Sequence, residues 1–332
     1  MTTPPPVKPK LIHELSNSIF EPLALLGAMK LDLFTPLKNG GLEAGELAAQ
    51  LKVNPERLAI LLHALVATGL LEKSGTKFKN SDEAQTYLVS DSAHYVGFLS
   101  GLFAELWPSG FKTAETLMSG EPRAAHNYAT MSDDELKAYY SASLPGASAS
   151  ARQFQNQVNL KNVKRIVDIG GGSGGLLIGL SQLNSALAGT LVDHPNTCEI
   201  ATKFIHEAGL SNRIEIFPCN ILRGSPEEEY DLAVMRNFIQ VQSEEDAATA
   251  IRNTSKSIQP GGRLVIWGWA IEDDRLTPKS AALHNLVYLN FYEGGQVHTI
   301  GAHRSWLQAA GLSDIEHRFL PGGPSLFSAV KS

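Results

Sequence analysis

Cysteine is nearly missing from this chain: Cys198 and Cys219 are the only two among 332 residues. A disulfide framework needs a dense, even set of cysteines, and a zinc cluster needs thiols a few residues apart, so neither fits. Both thiols read as small buried side chains in a reducing cytosol. Long apolar runs are also absent. The most apolar stretch, Ile19 to Phe34, is broken by Glu21, Lys30 and Asp32, too many charges for a bilayer span. The opening MTTPPPVKPK lacks the apolar core of a secretory signal, and Pro4 to Pro9 read as a flexible leader. A cytoplasmic protein with no membrane partner is therefore expected. Concentrated positive charge is missing too, with 28 basic against 34 acidic residues and a formal net charge of −6. Surfaces that bind nucleic acid need clustered lysine and arginine to displace phosphate counterions, so no nucleic-acid partner is expected.

What is there falls into two grammars. Residues 1–100 are mostly helical, with apolar positions three and four apart in IFEPLALLGAMKLDLF, LEAGELAAQL and NPERLAILLHALVATGLL. Asn54 before Pro55 supplies a cap and a first helical position. LLEKSGTKFKNS then alternates around Ser74-Gly75 as a short hairpin. Helix, turn, helix and small wing form a winged-helix pattern, which raises the question of DNA reading. Between Pro55 and Leu71, however, only Glu56, Arg57 and His63 among the larger polar side chains are available to base edges. A helix apolar nearly all round is a buried one, so this domain is expected to bury it against a second copy, giving a homodimer.

Residues 101–160 read as an amphipathic helical linker carrying Trp107, Phe111, Tyr128, Tyr139 and Tyr140. These aromatics serve either as core or as a pocket wall, since ligand sites favour domain junctions. Residues 161–332 alternate strand and helix. RIVDIG, GTLVD, RIEIF, YDLAVM and RLVIWGW read as strands of a parallel sheet covered on both faces. DIEHRF and SLFSAVK flank PGGP as an antiparallel edge hairpin.

A glycine loop follows the first of those strands in VDIGGGSGG. Glycines admit close backbone approach, and the helix start offers free N–H groups. Gly170, Gly172 and Gly175 satisfy GxGxxG, so a nicotinamide dinucleotide has to be weighed. Asp168 ends the strand beside the loop, where a carboxylate repels a pyrophosphate but attracts the ammonium and sulfonium of S-adenosylmethionine. Asp193 ends the next strand, at the spacing where an acid meets ribose hydroxyls of either cofactor. Asp168 therefore turns the choice toward S-adenosylmethionine.

VDIGGGSGG, LVDHP, RIEIFPCNIL, YDLAVMRN and PGGRLVI, taken in this order with LLHALVATGLLE, resemble the caffeate and hydroxyindole (acetylserotonin) O-methyltransferase family over nearly the whole chain. The resemblance implies a Rossmann-like seven-stranded α/β methyltransferase domain behind a winged-helix-like dimerisation domain. It implies that the glycine loop holds the methionine part of the cofactor, that Asp193 takes the ribose, and that Asn220 and Ile221 flank the adenine with Arg236 nearby. Trp107, Tyr140, Asn237, Tyr288 and Glu293 are implied to surround a small-molecule acceptor, aromatic or polyketide-like.

Two positions depart from the family pattern. Asn220 stands where the family usually has Asp; an amide oxygen can still accept from the adenine amino group. More consequentially, the family follows the fourth strand with a catalytic His, whereas this chain reads Arg236-Asn237-Phe238-Ile239-Gln240. An amide takes no proton near neutral pH. A general base contributes roughly 10² to 10⁴ in rate, while in-line placement supplies effective molarities of about 10⁵ M or more, so transfer can survive the substitution. His284 is the candidate substitute base, followed by Glu293 and His298. The spacing of His284, His298 and His303 matches no ligand pattern, so no metal is expected. O-methylation is the leading expectation. C- or N-methylation remains open, as does a cofactor-binding relative that catalyses hydroxylation or a pericyclic step, and a regulatory protein built on the winged-helix domain.

Overall fold

A computed structural model describes residues 7–92, 94–97, 99–125 and 131–332, leaving aside the side chains of Leu102 and Glu105. Tyr128 of the expected aromatic group lies outside the described residues. The chain forms two compact units, Met1–Ala104 and Glu105–Ser332. Residues 105–160 thus belong to the second unit, where the sequence pattern suggested a separate linker.

The first unit contains α1 (Lys10–Asn17), α2 (Phe20–Lys30), β1 (Leu42–Glu43), α3 (Ala44–Leu51), α4 (Pro55–Ala67), β2 (Leu71–Ser74), β3 (Lys77–Asn80) and α5 (Asp82–Tyr87). The strands form a small antiparallel sheet in the order β1-β3-β2, the expected wing. Helix α4 starts as its sequence suggests: the Asn54 side chain accepts from the Arg57 N–H at 2.9 Å, with Pro55 at the first position. It stops at Ala67, short of Leu71, because Gly69 turns into the left-handed region at φ 81°. Leu58, Leu62 and Leu65 supply its buried stripe, while Ile60 of the same helix is 66% exposed. Helix α1 buries none of its residues. Leu11, Ile12 and Leu15 on it are 66%, 65% and 61% exposed in the single chain.

The second unit follows with α6 (Leu99–Gly110, reaching across the division), α7 (Thr113–Ser119), α8 (Asp133–Gln157), β4 (Arg165–Ile169), α9 (Gly175–Leu183), β5 (Ala188–Asp193), α10 (Pro195–Glu207) and β6 (Ile214–Pro218). Then come β7 (Tyr230–Arg236), α11 (Glu244–Ser255), β8 (Ile258–Gly268), α12 (Lys279–Phe291), α13 (Ile300–Ala309), β9 (Leu312–Phe319) and β10 (Ser325–Lys331). Seven strands form one sheet in the order β6-β5-β4-β7-β8-β10-β9. Strands β6 to β8 run parallel, and β10 is antiparallel to both neighbours, as the PGGP hairpin implied. Ile166 to Ile169 of β4 are buried, which is what a central strand covered on both faces requires. The chain winds outward from β4 first to β5 and β6, then to β7 and β8 on the other side. That switch opens a crevice at the carboxyl ends of β4, β5 and β7, where open α/β sheets bind ligands.

Helices α8 and α9 meet backbone to backbone. A Cβ on Gly179 would stand 2.5 Å from the Ser148 carbonyl oxygen and 2.6 Å from the Ala151 Cβ. One on Gly175 would stand 2.6 Å from the Ala147 Cβ. The third glycine of the loop motif therefore seats α9 rather than a ligand. Helix propensity alone makes Gly179→Ala stabilising by about 1 kcal/mol. The clash reverses that sign, and a loss of about 1–3 kcal/mol in urea unfolding is expected. A rise in the unfolding midpoint would contradict this close approach.

Candidate active site

The loop after β4 is held by β5. Gly170 N–H donates to the Val192 carbonyl at 2.8 Å, and Gly172 N–H to Asp193 Oδ2 at 2.9 Å. The second Asp193 oxygen accepts from His194 N–H at 2.7 Å. Gly170, Gly172 and Gly174 take φ values of 68°, 56° and 75°, which other residues adopt at a cost. A Cβ at Gly170 would also lie 2.3 Å from the Phe238 ring. The sequence thus builds an open backbone cradle, with one acid at each of two neighbouring strand ends.

Asp168 is 2% exposed, and burial pushes its carboxyl up to about 7, against the opposing pull of Arg236 and with some help from Asp193. Burial likewise raises Asp193, while the Gly172 and His194 N–H groups favour its ionised form. Buried charge of this kind is costly unless a cation accompanies it. Arg236 answers in part: its guanidinium is the cation that acts on Asp168, and it lies 5.5 Å over the Trp267 ring. A ligand carrying its own positive charge fits the same place.

Beyond Asp193 lies a cavity of about 50 Å³ whose walls include Gly170, Cys219, Asn220, Ile221, Phe238 and Gln242. Asp193 and Asn220 are thus brought together, at the ends of β5 and β6. Arg236 is not among the lining residues; its charge interacts with that of Asp168. Cys219, Phe238 and Gln242 are walls that sequence reasoning missed. Cys219 was in principle legible, since it follows β6 at the level where Asp193 ends β5.

A second cluster gathers Gln240, Asn237, Tyr288 and His284. Gln240 is 2% exposed, its Nε2 donates to Asn237 Oδ1 at 3.3 Å, and it hydrogen-bonds the Tyr288 phenol. A Cβ on Gly268 would come within 2.5 Å of the Gln240 Oε1, so the amide lies flat on that glycine. Asn237 holds a left-handed φ of 53°, and its N–H donates to the Trp267 carbonyl at 2.8 Å. Burial drives the Tyr288 phenol above its usual range, so it stays protonated. His284 stacks on Trp269 with ring centres 4.2 Å apart and meets the Tyr288 ring edge at 5.5 Å. Burial lowers its imidazole to about 4, so at neutral pH it is an uncharged aromatic plate.

The other expected residues are placed differently. Tyr140 lies against the glycine loop, where a Cβ on Gly172 would meet its ring at 2.9 Å, and its hydroxyl is 3.4 Å from Thr197 Oγ1. Trp107 is half-buried on α6, and Glu293 is exposed after α12. His298 Nε2 is 3.0 Å from the Gln242 carbonyl, and His303 stacks on Phe327 at 4.5 Å; both rings serve local structure. Among the described residues no three His, Cys, Asp or Glu side chains group as a metal site requires. No helix of the described residues is long and apolar enough to cross a membrane.

The chain as a whole matches known proteins. Residues 118–313 match the O-methyltransferase domain, and residues 13–90 match the O-methyltransferase dimerisation domain. The chain is 27% identical to a 3-hydroxy-5-methyl-1-naphthoate 3-O-methyltransferase of Streptomyces sahachiroi, across 100% of this chain and 98% of that one. It is 26% identical to an O-methyltransferase family protein of Burkholderia thailandensis, with a TM-score of 0.77 over 99% of each chain. It shares the fold of human N-acetylserotonin methyltransferase, solved in complex with S-adenosylmethionine, at a TM-score of 0.81, 19% identity and full coverage of both. The chain belongs to the O-methyltransferase family of S-adenosylmethionine-dependent enzymes.

Proposed function

We propose that this protein transfers a methyl group from S-adenosylmethionine to an oxygen of a small aromatic or polyketide-like acceptor. The observation that carries the reading is the glycine cradle with Asp168 buried on one side and Asp193 on the other. The cofactor supplies an electrophilic methyl group on a cationic sulfur. Asp168 faces that cation, the backbone of Gly170 to Gly172 receives the methionine part, and Asp193 takes the ribose hydroxyls. The aromatic acceptor class follows from the naphthoate methyltransferase relative and from the ring-lined cluster of Trp269, His284 and Tyr288.

Gln240 has no proton-accepting role in this scheme. Its amide holds Asn237 and Tyr288 in place, and the buried Tyr288 phenol is a neutral donor able to orient an acceptor oxygen. His284, at about 4, is too weak a base to draw a proton from an ordinary phenol and serves as an aromatic wall. Rate enhancement then rests on placement and exclusion of water, and the acceptor is one that ionises readily. A second reading has a specific motive, the amide in the place of the base: a family member that binds the cofactor and catalyses another reaction. Labelled cofactor and a panel of phenols separate the two, since methyl transfer releases S-adenosylhomocysteine and the second reading does not. In either case two copies join through residues 1–100, covering the apolar side chains that α1 exposes.

The buried acid makes binding pH-dependent. Free Asp168 is largely protonated below about 7, and a neighbouring cation favours its carboxylate, so binding releases a proton there. Affinity for S-adenosylmethionine is expected to climb as pH rises to about 7 and then to level. In calorimetry, Asp168→Asn flattens the climb and weakens binding about tenfold or more; an unchanged profile would remove Asp168 from the site. Gln240→Ala is expected to keep kcat within about tenfold, whereas a loss of about 10² or more with cofactor binding intact would give the amide a chemical role. Sedimentation at micromolar concentration is expected to show a dimer, and a monomer there would count against the N-terminal interface.

A further inference from the structure

Asp193 and Asn220 line one small cavity, so a nucleoside whose ribose meets the Asp193 carboxylate sets its base against Asn220 and Gln242. We infer that this base pocket is permissive at position 6 of the purine and takes a 6-oxopurine nucleoside, such as an S-inosyl compound, nearly as well as the 6-amino form. The inference rests on the cofactor placement proposed above and goes beyond it in naming what the pocket fails to reject.

The reason lies in a hydrogen bond that the chain makes with itself. Asn220 Oδ1 accepts the Leu222 N–H at 2.9 Å. A backbone N–H only donates, so the amide cannot turn over without setting two donors face to face. The turn after β6 therefore fixes the amide's orientation, leaving one lone pair of its oxygen and the two Nδ2 hydrogens for a ligand. Adenine carries a donor at position 6 and an acceptor at the adjoining ring nitrogen; hypoxanthine carries an acceptor at position 6. An amide donor serves the ring nitrogen of the first or the oxygen of the second. The remaining lone pair of the oxygen accepts from a 6-amino group as readily as the amide N–H donates to a 6-oxo group, so a carboxamide turns neither away. The remaining polar walls add little discrimination. Gln242 is a second carboxamide able to donate or accept, His194 offers ring nitrogens that donate or accept according to tautomer, and Cys219 offers a weak thiol. Asp193, the one carboxylate among the cavity's described walls, is engaged by two backbone N–H groups and reserved for the ribose.

A site rejects an analogue strongly when the wrong partner leaves a buried group unpaired or opposes like with like. An aspartate at this position has a second oxygen: one takes the Leu222 N–H, the other accepts from a 6-amino group and repels a 6-oxo group. Asn220→Asp is nearly isosteric and keeps the turn, so it converts a permissive pocket into a selective one.

Calorimetry on the full chain with S-adenosyl-L-homocysteine and S-inosyl-L-homocysteine tests this without reference to turnover. The wild-type Kd values are expected to lie within about thirtyfold of each other, and a wider gap overturns the inference. In Asn220→Asp the gap is expected to widen about tenfold or more, through tighter adenosyl and weaker inosyl binding; an unchanged gap also overturns it. Asp193→Asn distinguishes the underlying placement, since it weakens both ligands alike if the ribose sits there. Should it leave both unchanged, the placement fails and the inference with it. The wild-type ratio needs no variant, so the proposal stays exposed to refutation even if a substitution impairs folding.

Discussion

A carboxylate buried at the end of a central strand is the constraint around which this site is arranged. Asp168 sits where water cannot solvate its charge, and Arg236 offsets only part of the penalty, so its carboxyl titrates near 7. Such a group is poised: it tolerates neutrality in the free protein and becomes an anion when a cation arrives. A diphosphate cofactor would meet repulsion at the same place. The loop lies close to both acids: the Gly172 N–H donates to Asp193, and a Cβ on Gly171 would lie 3.2 Å from the Asp168 Oδ2.

The second cluster, on the acceptor side in the reading proposed above, has a different character. Every titratable group in the second cluster is held neutral by burial: Tyr288 is kept protonated and His284 unprotonated. Gln240 links Asn237 and Tyr288, both part of the protein's own framework, through an amide that carries no charge. The cluster is therefore built to hold shape and exclude water rather than to move protons. In a methyl transfer this is sufficient where the acceptor arrives ionised or easily ionised, because the donor sulfur already bears the electrophilic burden and proximity contributes more than a base.

Elements with a strong local signal were legible in the sequence. Asn54-Pro55 marks the start of α4, the alternation around Ser74-Gly75 gives the β2–β3 wing, and PGGP joins β9 to β10. Each depends on backbone chemistry within a few residues, which is why it is readable without tertiary information. Asp168 and Asp193 were legible for a related reason: strand ends in a parallel sheet align, so their level follows from strand order. Less readable was the division of the chain. Residues 105–119 carry no pattern that says which neighbour they join, and it is long-range bonding that settles it, with the buried Asn290 of α12 holding Thr113 and Thr116 of α7.

The sequence by itself determined the two-part organisation, the parallel sheet with its edge hairpin, and a glycine loop set between two acids. These follow from periodicity, from turn chemistry and from charge placed beside glycine. Only the tertiary structure decided how side chains spend their hydrogen bonds. It set the charge of Arg236 against that of Asp168, laid Tyr140 over the glycine loop, tied Gln240 to Tyr288 and oriented the Asn220 amide on the Leu222 N–H. A residue type states which bonds a side chain is able to make. Which of them it makes depends on neighbours that the chain brings from far along its length.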